Sequence, residues 1–461
     1  MIKVVLLLSL PLLILAKTVT FNQALTLAVE NNKELKAKEY DITLAQEMVK
    51  EPDAYKKGRL DFIENISNTN NAGHVFGMKL SSREASFSDF GFDEFLGQMG
   101  GLPGNAQQLL ATQPKKLNDP DARTNFETKV VYEVPLFTGY KLENAKTMAE
   151  LQLLAHQAKL SHDKKKIGLE VIKAYNGAVA AKKFISMTKK ATKIAKRFQD
   201  TAQGMYDDGL TRMIDVQQAK MAAYTINTKV KEAKTQFNLA IAYLQFLTDD
   251  KSIKNVRGFK NFKVDSKKLS IMQEDAIVNR DDYQWMEYNV QTMKTKIAYD
   301  SSGEYPTIGA HIEYGTNDNT FNPSFKKDYH LIAVGLKHNL FDGDLKKIAK
   351  AKAKISYAKT LEYKSYMKDG IQLEVKKNLL EYKMQRKILK EKIKTKKMAE
   401  NILSETEKIY KNNLQFRTNM MYLLMGLENM LKAQADVITT RYNKSIVSAK
   451  LKLSTGSSLG N

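Results

Sequence analysis

Cysteine is absent from the 461 residues. Its absence excludes disulfide frameworks, Cys-ligated zinc, iron–sulfur clusters, thiol catalysis and an acyl anchor on cysteine. Proline is scarce: eight residues, at 11, 52, 103, 114, 120, 135, 306 and 323. None falls between Pro135 and Pro306, or after Pro323. An interior proline costs a helix about 3 kcal/mol, so both stretches are free to form very long helices. Beyond the N-terminus no apolar run reaches the ~20 residues that a transmembrane helix needs. Acidic residues are outnumbered, 51 against 73 Lys and Arg, which leaves a formal charge of +22. Such a surplus raises nucleic acid or an anionic membrane as partner. Its clusters, such as Lys164–Lys166 and Lys392–Lys397, fall on helical patterns with no nucleic-acid module, so no nucleic-acid partner is expected. P-loop, dinucleotide, zincin and EF-hand motifs are all missing, and the six histidines are scattered. No enzyme site, cofactor or metal site is expected. A hydrophobic fraction of 43% excludes global disorder.

Residues 1–16 read as a secretory signal peptide: basic Lys3, an apolar run from Val4 to Leu15, and Ala16 at the cut. The rest reads as a duplication. Val134-Pro135-Leu136-Phe137-Thr138-Gly139 matches His338-Asn339-Leu340-Phe341-Asp342-Gly343 at an offset of 204. At the same offset Ala145 meets Ala349, Leu169 meets Leu373, Ala195 meets Ala399 and Tyr206 meets Tyr410. Two homologous repeats are expected, 17–248 and 270–461, joined by a linker at 249–269. Each should run helix, two strands, long helix, tip turn, returning helix. The long helix after Gly139, at ~1.5 Å per residue, should extend roughly 95 Å. The tip turns are expected at about 204–213 and 411–417, where Gly209 and Asn413 suit a left-handed cap. Apolar residues at three- and four-residue spacing, as in Leu423, Leu427 and Met430, read as coiled coil.

Ahead of each Leu-Phe-x-Gly turn the period changes to two. From Phe126 to Leu136, Val130, Tyr132 and Val134 alternate with Lys129, Val131 and Glu133. In the second repeat the strands are expected within about 305–341, with Ile308, Ile312 and Val334 opposite His311, Glu313 and Lys337. The remaining first-repeat strand is either Leu60 to Asn70 or Val75 to Phe87, and an extracellular insert is expected at about 77–124. Strands of ~9–11 residues with one apolar face suit an outer-membrane barrel. The same alternation also fits a sheet on a soluble core, as in an exported coiled-coil adaptor or adhesin. In the barrel reading Lys129, Glu133, His311, Glu313 and Lys337 face the lumen. Four strands do not close a barrel, so several copies are required; two give a tight barrel and three an open lumen.

With these marks the chain resembles the TolC-like outer membrane factor (outer membrane efflux protein) family. The resemblance rests on the paired turns Leu136–Gly139 and Leu340–Gly343, the Tyr-x-x-Gly-Leu tip with Asp-Val at Tyr206–Val216, and its degenerate copy from Tyr410. It implies a mainly α fold, a long coiled-coil barrel continuing a trimeric twelve-stranded β-barrel. It implies a homotrimer in outer-membrane lipid with a long periplasmic extension, working with a periplasmic adaptor (membrane fusion protein) and an inner-membrane pump. The duct would serve efflux or type I secretion. The resemblance also implies a gate at the tip, with Asp215 at the family's Asp-Val position. The second repeat departs, with Asn419 there and Tyr422 where an acidic residue often stands. Arg212 and Arg417 are expected either to pair with Asp207, Asp208 or Asp215, or to stand as solvated turn residues. The substrate is not encoded in any motif.

Overall fold

A computed structural model describes residues 17–100, 109–264, 267–322, 324–411 and 420–460. The expected signal peptide, part of the insert, and Asn413, Arg417 and Asn419 lie outside the described residues. The elements in order are β1 (Lys17–Val19), α1 (Phe21–Asn31), α2 (Lys33–Lys56), β2 (Arg59–Thr69), α3 (Ala72–Ser81), α4 (Phe92–Met99), α5 (Lys115–Asn118), β3 (Arg123–Phe137) and α6 (Lys141–Asp207). Then follow α7 (Met213–Thr248), β4 (Ile253–Val256), α8 (Leu269–Asn279), α9 (Asp281–Asp300), β5 (Thr307–Asp318), β6 (Asp328–Lys337), α10 (Leu345–Lys411) and α11 (Met420–Ser454).

Local chemistry sets the element ends. Thr20 opens α1 with a capping box: its hydroxyl accepts from the Gln23 amide, and the Gln23 side chain accepts from the Thr20 amide. Asn32 breaks α1 from α2, its side-chain oxygen accepting from the amides of Glu34 and Leu35. Arg280 stands at the corresponding break between α8 and α9. Its guanidinium is held by Asp282 at 2.7 Å and Glu374 at 2.6 Å. Pro52, the one proline inside a described helix, lies close to the C-terminus of α2, which ends at Lys56. Both long helices have 67 residues, and at ~1.5 Å per residue each rises about 100 Å. Their ends, Lys141 and Asp207 against Leu345 and Lys411, are each 204 residues apart.

The chain forms two units. One is helical and gathers the segment up to Leu44, Gln152–Val290 and Lys359 onward. Its buried stripe on α6 includes Val171, Ala174, Ala178, Ala181, Thr188, Ala191, Ala195, Phe198 and Ala202. Three-, four- and seven-residue steps are the coiled-coil repeat, and alanine at most of them lets helices approach closely. Met420, Leu423, Leu427 and Met430 of α11 share a core cluster with the Ala191–Ala202 part of that stripe. A parallel two-stranded sheet, β1 with β4, belongs to this unit. β4 lies within 249–269, expected as a linker or equatorial segment, and strands this short carry no readable period.

The other unit, Ala45–Leu151 with Gln291–Ala358, holds an antiparallel sheet in the order β2-β3-β5-β6. Of the two alternatives for the first strand, Arg59–Thr69 pairs with β3. Val75 lies instead in α3, which starts because the Asn71 side chain accepts from the His74 amide. The segment expected as an irregular insert is thus partly helical.

Candidate functional site: the polar sheet face and the helix turns

Strand register decides what meets on the sheet. Glu133 is opposite Arg59 on one side and His311 on the other; Val131 is opposite Glu313, and Lys129 is opposite Gly315. Side chains alternate, so Arg59, Asp61, Asn65, Glu127, Lys129, Glu133, His311, Glu313 and Lys337 share one face. The other face carries Leu60, Phe62, Ile66, Val130, Ile312, Ile332, Val334 and Leu336, all exposed.

The polar face is a connected network. The Lys129 ammonium lies 3.1 Å from Glu127 and 3.5 Å from Glu313. His311 contacts Glu133 at 3.4 Å through Nδ1 and Glu313 at 3.3 Å through Nε2. Tyr329 donates to Glu313 at 2.5 Å, and Asn65 donates to Glu127 at 2.7 Å. Arg59 reaches Glu133 at 3.5 Å and Asp61 at 2.6 Å. Four of the five residues expected on the lumen face therefore meet. Lys337 shares the face but sits on the edge strand β6, opposite Thr307, without an ion pair. Glu127, Tyr329, Asn65 and Arg59 were missed. The period-two reading of β3 held the signal for Glu127, one step before Lys129. Among the described residues no group of three or more His, Asp or Glu is placed to hold a metal.

Above the sheet, Glu84 accepts from Lys327, Arg123 and Ser82. These donors, Lys327 foremost, hold its carboxyl down at about 2, against the opposing effect of burial. Arg83 donates to the carbonyls of Lys326, at 3.0 Å, and Asp328, at 2.6 Å. The segment after α3 is thereby tied to the β5–β6 loop.

Each strand-to-helix turn carries two successive left-handed residues, Gly139 with Tyr140 at φ 64° and 64°, and Gly343 with Asp344 at 68° and 67°. Pro135 is opposite Gly309, and Leu136 sits at a bulge before Phe137. Phe137 packs edge-on against Tyr140 at 5.2 Å, and Tyr140 against Tyr305 at 5.5 Å. In the second turn Leu340 and Phe341 are 90% and 84% exposed. Asp342 caps α10 by accepting from the Lys346 amide.

At the first tip turn Tyr206 is exposed, Gly209 has φ 72°, and Gln203 donates to Asp207 at 2.9 Å. Asp215 is buried and serves as a cap of α7, accepting from the Thr211 hydroxyl at 2.7 Å and the Arg212 amide. No ion pair joins Arg212 to Asp207, Asp208 or Asp215. Tyr410 is buried, facing Asp215; burial pushes its phenol up, and the carboxylate adds to the effect. Tyr422 is exposed. The ion pair that links the long helices near this turn was not read from the sequence: Arg197 on α6 meets Glu407 on α10 at 2.7 Å, and Lys411 meets the same carboxylate at 3.0 Å. Burial opposes ionisation of Glu407, but the bonds from Lys411 and Arg197 hold its carboxyl below the usual range.

Residues 103–248 match the family model described as "Outer membrane efflux protein". No curated protein matches the chain by sequence. Similar solved structures include a membrane protein from Pseudomonas aeruginosa, 14% identical, with a TM-score of 0.77 over 95% of this chain and 93% of that one. The outer membrane protein VceC from Vibrio cholerae is 13% identical, with a TM-score of 0.74 over 95% of this chain and 96% of that one. The Campylobacter jejuni CmeC outer membrane channel is 12% identical, with a TM-score of 0.75 over 95% and 85%. In fold the chain is similar to outer membrane channels along nearly its whole length. In sequence it is similar to the outer membrane efflux proteins over the matched segment.

Proposed function

We propose that this chain, with the fold of outer membrane channels and a segment of the efflux-protein family, is the outer-membrane duct of an export system. Three copies close a twelve-stranded barrel in the outer membrane, and the long helices continue it as a periplasmic tunnel. The observation that carries the reading is the sheet: four strands, two unpaired edges and one exposed apolar face. Lipid tolerates no open strand edge, so a bilayer-spanning sheet of this kind must close with other copies. The polar network then lines the lumen, and Leu60, Phe62, Ile332 and Val334 meet lipid. No described helix is long and apolar enough to cross a membrane. An adaptor or adhesin with a soluble sheet is not favoured, because it leaves that apolar face in water.

The duct has no energy source of its own in this reading. A periplasmic adaptor and an inner-membrane pump supply substrate at the tip, where Tyr206, Asp207, Asp208, Arg212 and Asp215 form the gate region with Arg197 and Glu407. The test is reconstitution of purified protein in planar bilayers. Stepwise ionic conductance is expected; bilayers that stay silent at saturating protein overturn the reading.

A further inference from the structure

The two hairpins of the sheet are copies of each other in register. Adding 248 to a β2 position and 204 to a β3 position converts the β2–β3 pairs from Arg59–Glu133 to Asn68–Thr124 into β5–β6 pairs: Arg59 opposite Glu133 becomes Thr307 opposite Lys337, and Asp61 opposite Val131 becomes Gly309 opposite Gly335. Inside the chain a third pairing joins the hairpins, β3 with β5. The equivalent of β3 is β6, the equivalent of β5 is β2, and both of these are edges.

The turn beside that pairing is packed in one repeat and bare in the other. A Cβ at left-handed Gly139 would lie 2.5 Å from the Ser302 carbonyl oxygen and 3.0 Å from the Tyr305 Cβ, an approach only glycine permits. Gly343 keeps the same left-handed backbone, yet among the described residues nothing beyond its chain neighbours lies within 4 Å of its Cβ position. The neighbours it would need are the equivalents of Ser302 and Tyr305, which are Ala54 in the last turn of α2 and Lys57 between α2 and β2. Tyr140, which packs on Tyr305, is replaced by Asp344 in the second repeat. An aromatic pair within the chain thus becomes an opposite-charge pair, Asp344 and Lys57, at the open ends. Both are exposed, and among the described residues Asp344 has one ion pair, with Lys347 one turn away.

We infer that β6 of one copy pairs antiparallel with β2 of the next in the register that β3 and β5 use within the chain. Lys57 of the next copy then meets Asp344. The register sets Gly335 opposite Asn65 of the next copy and Val334 opposite Ile66. The inference rests on the multi-copy barrel proposed above and adds to it which residues meet.

The chain has no cysteine, so introduced pairs report without background. Successive antiparallel pairs alternate between hydrogen-bonded and closer non-hydrogen-bonded positions, so one of two neighbouring pairs suits a disulfide. The variants Gly335→Cys with Asn65→Cys and Val334→Cys with Ile66→Cys, oxidised in membranes, should give covalently linked multimers in at least one case. Gly335→Cys with Ser67→Cys or with Ile63→Cys, which read a slip of two residues, should give several-fold less. A stronger band from a slipped pair overturns the register while leaving the multi-copy barrel standing. No band from any pair, with a single-chain mass in detergent, overturns both. As a second readout, Asp344→Lys should lower the fraction of multimer that survives mild denaturant, and adding Lys57→Asp should restore it. Loss without restoration contradicts the Lys57–Asp344 pair.

Discussion

Glu84 shows how a single carboxylate holds a loop in place. Its folded pKa lies near 2, below its ordinary value, so its ion pairs stabilise fully above the ordinary range and fade as pH falls through about 2. Pepsin cleavage within the segment after α3 should therefore stay slow at about pH 4 and accelerate toward about pH 2. Glu84→Gln should be cleaved fast across that range, and equal rates for the two proteins would contradict the role. Other residues show what a sequence discloses at this scale. Lys129, Glu133, His311 and Glu313 were legible because a strand has period two, so one alternation assigns a whole face. Arg197 and Glu407 were not, because their partnership spans 210 positions and follows no local spacing. Asp215 was read as a gate charge, and it remains a gate candidate, but the structure also gives it the cap of α7. Its position three residues after Arg212 at the N-cap was a spacing signal for that cap.

At the scale of elements, the long helices follow from the distribution of proline and from coiled-coil spacing, and their matched ends carry the 204-residue offset into the backbone. The short pieces were harder to see. β1 and β4 have three and four residues, too few for a period, and exist because they pair with each other. α3 and α4 lie in a Gly- and Phe-rich segment whose composition resembles a loop. Capping by Asn71 and the acidic first turn of α4, with Asp93 and Glu94, were the local signals available. Between elements, the Arg197–Glu407 pair joins α6 to α10 ahead of the first tip turn. An exposed pair contributes only about 0–1 kcal/mol, enough to shift a gate equilibrium about fivefold at most. Arg197→Ala should therefore raise resting conductance in planar bilayers by a few-fold, and Arg212→Ala, which removes no ion pair, should leave it near wild type. The reverse order would assign the closing contact within the gate region to the turn residues and not to the Arg197–Glu407 pair.

For the whole molecule, one chain carries only a third of the proposed barrel. Apolar and polar faces can be read from a single strand, but closure is a property of several copies and leaves no mark in one sequence beyond open edges. The exposed Leu340 and Phe341, against the packed Phe137–Tyr140 contact of the first repeat, are where the proposed barrel would bring a second copy. The same closure gives the basic surplus of +22 a setting: much of it coats long helices, and no nucleic-acid module accompanies it. The central claim is that this sheet closes only with other copies. The most direct measurement is the protein mass of the detergent-solubilised particle, determined with the detergent contribution removed. The account predicts three times the mass of one chain; a well-folded particle of one chain would contradict it.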